Sequence, residues 1–191
     1  MCTVFIKPGA DASKIVVSTP YHPDFSREVR RLNGKWEPVT RTWVFDARDT
    51  ERVKEVCRDL FGTDGTGAER LVTVRATSGD SRLQYSQTGA YVLGRCVAFA
   101  TGRDSGARLG KDVVLISGRI GSGGSVKDWC TVIHPNTVVE IRDIPEAALG
   151  LDTKGWLIEV VPDQCADPKA ALRAERGRLV ARIAEIDAEL S

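Results

Sequence analysis

The chain has 191 residues, of which 42% are hydrophobic and 28% charged, a balance that places it among ordinary globular proteins and excludes an intrinsically disordered chain. Its 27 Lys and Arg oppose 26 Asp and Glu for a net charge of +1, which excludes a global attraction for nucleic acid or acidic membranes and requires any such attraction to be local. Cys2, Cys57, Cys96, Cys130 and Cys165 are odd in number and contain no Cys-x-x-Cys pair, a pattern of a reducing compartment and not of a disulfide scaffold.

Met1–Lys7 shows neither the apolar run nor the small-residue cleavage site of a signal peptide, and no later segment approaches membrane-spanning length, so a cytoplasmic protein is expected. His22 and His134 alone could join the cysteines as soft metal ligands, and neither sits at finger-type spacing. No metal or cofactor site is expected on this basis. Cys130 and His134 stand four apart around the β-branched Thr131-Val132-Ile133, which reads as a strand with Cys130 as a small core residue.

In chain order, Lys14–Thr19 is a β-branched run that stops at Pro20 and predicts a strand. Pro23 then opens a helix with Asp24 in its first turn, Phe25, Val29 and Leu32 on one stripe, and Asn33-Gly34 as a left-handed stop. Gly34–Phe45 predicts a β-hairpin: Pro38 presets the turn, Trp43 and Phe45 share one face, and Trp36 can meet Trp43 across the strands. Asp49 is expected to cap a second helix carrying Val53, Val56, Cys57, Leu60 and Phe61 on one stripe before Gly62. The unit is strand, helix, hairpin, helix, with Trp36, Trp43 and Phe45 expected mainly in its small core.

Tyr21-His22-Pro23-Asp24-Phe25, Gly34-Lys35-Trp36-Glu37-Pro38 and Thr40-Arg41-Thr42-Trp43-Val44-Phe45 together resemble the HARP domain found beside the motor of annealing helicases. The resemblance spans residues 13 to 62 and implies a part in recognising branched or partly single-stranded DNA. The chain has no Gly-x-x-x-x-Gly-Lys-Ser/Thr loop, so the resemblance implies binding and not ATP-driven remodelling. On this unit Arg27, Arg30, Arg31, Lys35 and Arg41 are the candidate nucleic-acid contacts, interleaved with Asp24, Glu28 and Glu37.

Gly62–Gly67 is dense in glycine and short polar residues, which marks a linker over residues 63–69 between a domain at 1–62 and one at 70–163. From Leu71 the pattern becomes short β-type runs (Leu71–Ala76, Arg82–Ser86, Tyr91–Ala100, Val113–Ile120, Trp129–Ile133, Val138–Ile144, Trp156–Val161) separated by glycine-rich turns. These predict an antiparallel barrel or sandwich of about seven strands, and hence an α+β chain overall. Between Ser78 and Cys130 seven basic residues face four acids. Two glycine-serine turns concentrate them, one holding Arg103 and Arg108 and the other Arg119 and Lys127, and each offers amides, hydroxyls and cations to a phosphate.

Asp167-Pro168 predicts the start of a terminal amphipathic helix over residues 164–191, with Leu172, Leu179, Ile183, Ile186 and Leu190 in heptad-like register. It is a candidate coiled-coil element for a homodimer. The leading expectation is a non-enzymatic nucleic-acid-binding protein, DNA favoured, with no catalytic constellation assembled from sequence neighbours. The alternative is a phage- or mobile-element-encoded, anti-CRISPR-like inhibitor that occupies a host defence complex, which the balanced charge and the appended pairing helix would suit.

Overall fold

The computed structural model describes residues 4–162, apart from positions 10 and 68, together with residue 179. Met1–Val161 form one compact unit and Pro162–Ser191 a second. Of the proposed dimerisation residues, Leu179 is helical and exposed, whereas Leu172, Ile183, Ile186 and Leu190 lie outside the described residues. No described helix is long and apolar enough to cross a membrane.

The chain is α+β, and every strand pairing among the described residues is antiparallel. In the amino-terminal half, β1 (Phe5–Pro8), β2 (Lys14–Ser18), β3 (Lys35–Glu37) and β4 (Thr42–Asp46) form one sheet in the order β1-β2-β4-β3. Helices α1 (Pro23–Arg31) and α2 (Thr50–Phe61) pack with it around Val17, Phe25, Val29, Phe45, Val53, Cys57 and Phe61. The strand β1 has no counterpart in the sequence reading, because Lys7 and Pro8 weaken the period-two signal of a four-residue edge strand.

The helix ends follow local chemistry, with one difference from expectation. His22 is the N-cap of α1, its Nδ1 accepting the Asp24 amide at 3.2 Å. Asp49 makes no side-chain cap on α2. Asp46 instead accepts the Arg48 amide at the short 3-10 turn Ala47–Asp49 that leads into the helix. The Arg48 side chain beside that carboxylate holds Asp46 down at about 2. Gly62 closes α2 in the left-handed region at φ +70, where a Cβ would be strained and would also meet the Ala148 backbone.

The carboxyl-terminal half holds three open sheets and no closed barrel, which corrects the barrel expectation. They are ordered β10-β13-β5-β14, β11-β12-β6 and β7-β8-β9, built from β5 (Leu71–Thr77), β6 (Leu83–Ser86), β7 (Ala90–Val92), β8 (Arg95–Ala100), β9 (Ala107–Leu109), β10 (Val113–Ser117), β11 (Ile120–Gly124), β12 (Trp129–Ile133), β13 (Val138–Pro145) and β14 (Leu157–Val161). Two expected strands are each divided. Leu93 and Gly94, at φ +49 and +72, turn the Tyr91–Ala100 run into the β7–β8 hairpin. Gly118 at φ +88 separates β10 from β11. A second apolar cluster centres on Val74, Val97, Ile133, Ile141, Ile144 and Trp156.

The two clusters meet along a seam at the end of α2. The tip of the β7–β8 hairpin lies against it so closely that a side chain on Gly94 would collide with the Leu60 carbonyl and with Phe61. His22 packs edge-on against both Phe61 (6.0 Å) and Tyr91 (4.6 Å). Residues 63–67 run along this seam, with Thr63 buried and Gly65 against the Val4 backbone.

Candidate nucleic-acid interface

The β3–β4 register places Trp36 directly opposite Trp43, with ring centroids 5.3 Å apart and planes tilted by 60°. Phe45 is core, and Trp43 packs against that core through Phe25 at 6.5 Å. Trp36 is 49% exposed, which corrects the expectation that it is scaffold. It stands on a short edge strand, in contact with Trp43 and half in solvent.

A cavity of about 350 Å³ opens beside this pair, bounded by Trp36, Trp43, Phe25, Tyr21, Ser26 and Arg30. A second, of about 480 Å³, lies on the other side of Tyr21 and includes Tyr91, Arg95, Phe99, Lys111 and Trp129. Pro20 and Tyr21 belong to both walls, and Tyr21 is 72% exposed. The two hollows therefore adjoin across one protruding aromatic ring.

The expected cations divide by environment. Arg27 is ion-paired with Asp24, Arg31 with Glu28 at 3.0 Å and Arg103 with Asp104 at 2.8 Å, so their positive charge is locally offset. Arg30 has no acidic partner among the described residues, and it faces the Trp36 hollow. Lys35 follows the strand alternation to the opposite side of β3, beside Asp46 and Arg48. Arg41 sits in the hairpin loop at φ +54. Arg108 is paired in register with Phe99, so both side chains leave the same face of the β8–β9 ladder; Phe99 lines the larger cavity, and Arg108 lies outside its wall.

The two glycine turns are built differently from the expected anion cradles. The Thr101 and Gly102 amides both donate to the Ser105 hydroxyl, and the Gly106 amide donates to the Ser122 hydroxyl. Ser122 donates in turn to the Arg103 carbonyl at 2.7 Å, tying one turn to the other. Gly121–Gly124 is ladder within β11, and the tip is Ser125–Asp128, closed by the Ser125 amide on the Asp128 carbonyl. Those amides are satisfied internally, and the side chains of Arg119 and Lys127 remain exposed on the turns.

Arg95, Lys111, Tyr21 and Trp129, all in the wall of the larger cavity, did not stand out in the sequence as candidate contacts. Arg95 sits at the start of β8 and is only 9% exposed. Its Nη2 donates to the Asp143 carbonyl at 2.7 Å. Asp143 is at φ +55, in the register shift between Ile141 and Ile144 of β13, and that irregularity turns the carbonyl toward Arg95. A signal for Tyr21 existed in its place just before a proline helix start. None existed for Arg95, whose setting depends on β13.

Burial lowers the His22 pKa, against a smaller opposing influence from Asp24, and it raises that of Tyr91. Among the described residues no group of three or more His, Cys, Asp or Glu is placed to hold a metal ion. Compared with protein-family models, with curated proteins and with solved structures, the chain gives no match.

Proposed function

We propose that this chain is a non-enzymatic nucleic-acid-binding protein, DNA favoured, that holds a single-stranded or splayed segment along the paired hollows on either side of Tyr21. The observation that carries the reading is the pairing of aromatic rings with unpaired cations in two hollows that share Tyr21: Trp36 and Arg30 line one, Trp129 and Lys111 the other, and Arg108 stands opposite Phe99 on the adjoining ladder. Sequence-tolerant recognition of single strands uses this combination, bases stacking on exposed rings while cations follow the backbone. It also accommodates a net charge of +1, since three or four local cations suffice. The HARP-like residues supply the first of the two hollows, in keeping with what that resemblance implies.

Fluorescence anisotropy with single-stranded, duplex and forked DNA tests the reading. Binding is expected at low salt, strongest for substrates with a single-stranded portion, with a log–log salt slope of about −2 to −3 for three or four neutralised phosphates. Absence of binding to all three substrates at low salt would end it.

The competing reading, a protein-interaction inhibitor, draws on Val39 and Val126, exposed apolar residues at the ends of two hairpins. Its distinguishing result is a stable stoichiometric complex with a host defence assembly that is lost when both valines become Asp, in a protein that does not bind DNA.

A further inference from the structure

We infer that the larger hollow is a mononucleotide pocket, taking one nucleobase between its aromatic walls and that nucleotide's phosphate at Arg95 and Lys111. The strand-end form of this ligand rests on the nucleic-acid reading above. The free-nucleotide form does not.

Charge comes first. Arg95 is nine-tenths buried, yet it has no carboxylate partner among the described residues, and a single bond to the Asp143 carbonyl uses one of its five N–H donors. Its other nitrogens are not sealed from solvent, since Arg75 Nε is the one buried side-chain polar atom without a partner among the described residues, and an anion in the adjoining cavity would engage them through charge-assisted hydrogen bonds. Lys111, exposed at the rim, adds a second cation without an acidic partner among the described residues.

Shape and wall chemistry narrow the anion's class. About 480 Å³ is within the usual range for small-ligand sites and accommodates a nucleotide. Phe99 and Trp129 are both in the wall, and an aromatic lining favours a planar ring over an aliphatic acid. Gln87, also in the wall, is held by its Nε2 donating to the Lys127 carbonyl at 2.9 Å, leaving Oε1 to accept from a base edge. The architecture is built in: Gly110 lies against β8 so closely that any side chain there would collide with the Cys96 carbonyl.

The test titrates the full chain, followed by tryptophan fluorescence, with deoxyadenosine 5′-monophosphate, deoxyadenosine, inorganic phosphate, and a short single-stranded DNA with or without a 5′-phosphate. The monophosphate should bind about 10-fold or more tighter than the nucleoside or phosphate, as expected when both parts of one ligand are engaged together. Lys111→Glu should weaken it by a similar factor while leaving the melting temperature unchanged. A preference for the 5′-phosphorylated strand assigns the pocket to strand ends, and mononucleotide binding without that preference assigns it to a free nucleotide. Equal affinity for nucleoside and monophosphate, or no effect of Lys111→Glu, overturns the pocket. Strand binding that needs Trp36 but ignores both the 5′-phosphate and the mononucleotide overturns the pocket and leaves the groove standing. Mononucleotide binding with no strand binding removes the groove and keeps the pocket.

Discussion

His22 and Tyr91 join the two halves of the folded unit: their rings lie 4.6 Å apart at 64°, and the same imidazole caps α1 by accepting the Asp24 amide. One side chain thus serves as helix cap, core packing and seam. Its Nδ1 can accept only in the neutral form, because imidazolium offers donors on both nitrogens.

This arrangement predicts a pH dependence of stability. Burial depresses the His22 pKa below its ordinary 6.5, with Asp24 opposing and Lys154 adding to the depression. The unfolded chain therefore takes up the proton first as pH falls, so the stabilisation is present above about 6.5 and is lost on acidification toward the folded pKa. Thermal melts from about pH 7.5 down to about pH 5 should show a falling Tm. His22→Asn, which retains a capping oxygen, should flatten the part of the profile below neutrality. An unchanged slope in that variant would remove His22 from the account.

Phe61 tests the seam itself. It is buried against His22, Phe25 and Gly94 at the end of α2, and Phe61→Ala should cost about 3–5 kcal/mol by lost burial and cavity formation. Because Met1–Val161 pack as one unit, urea unfolding followed by circular dichroism and by tryptophan fluorescence should give coincident transitions in the parent protein. Two separated transitions would show that the halves fold independently.

Trp36 separates binding from stability. Half exposed on an edge strand, it should tolerate Trp36→Ala with a loss of about 1 kcal/mol or less, within the range for exposed cross-strand pairs. The same change should weaken single-stranded DNA binding by about 1–3 kcal/mol, the usual worth of one stacked base. A large stability loss with unchanged affinity would return Trp36 to the scaffold.

The cations of α1 give a paired comparison. Arg30→Ala removes an unpaired charge beside the Trp36 hollow and should reduce the salt slope by about 0.7 for single-stranded DNA. Arg27→Ala removes a charge already ion-paired with Asp24 and should have less effect on affinity and slope. Salt titrations of the two variants check this ordering, and equal effects would count against the groove.

Much of the local structure is legible in the chain. Pro23, Asn33 and Gly34 bound α1, Gly62 ends α2, and the Trp36–Trp43 pairing follows from hairpin register alone. These features are local because the interactions that specify them span a few residues: a fixed φ, a left-handed stop, a cross-strand neighbour. The α+β character follows in the same way from the change of period near Leu71.

The candidate site is legible only in fragments. Arg27 and Arg30 look alike in sequence, and their difference comes from whether an acid lies within reach and which hollow the residue faces. The Gly102–Arg108 turn reads as an open amide nest, yet the hydroxyls of Ser105 and Ser122 fill it from within and from a neighbouring strand, and Gly121–Gly124 of the second is ladder. Trp36 reads as core because small units need large buried residues, and the position of β3 at the sheet edge leaves it half in water.

What the sequence determined by itself is therefore the set of elements, their caps and turns, and the surplus of cations available for an anion. What only the tertiary structure decided is where those cations sit and which of them are paired. Arg95 acquires its buried setting from a bulge 48 residues away, and Tyr21 becomes a ridge between two hollows because the β7–β8 hairpin docks against the end of α2. Burial and charge compensation are sums over neighbours distant in the chain, and no pattern of adjacent residues contains them.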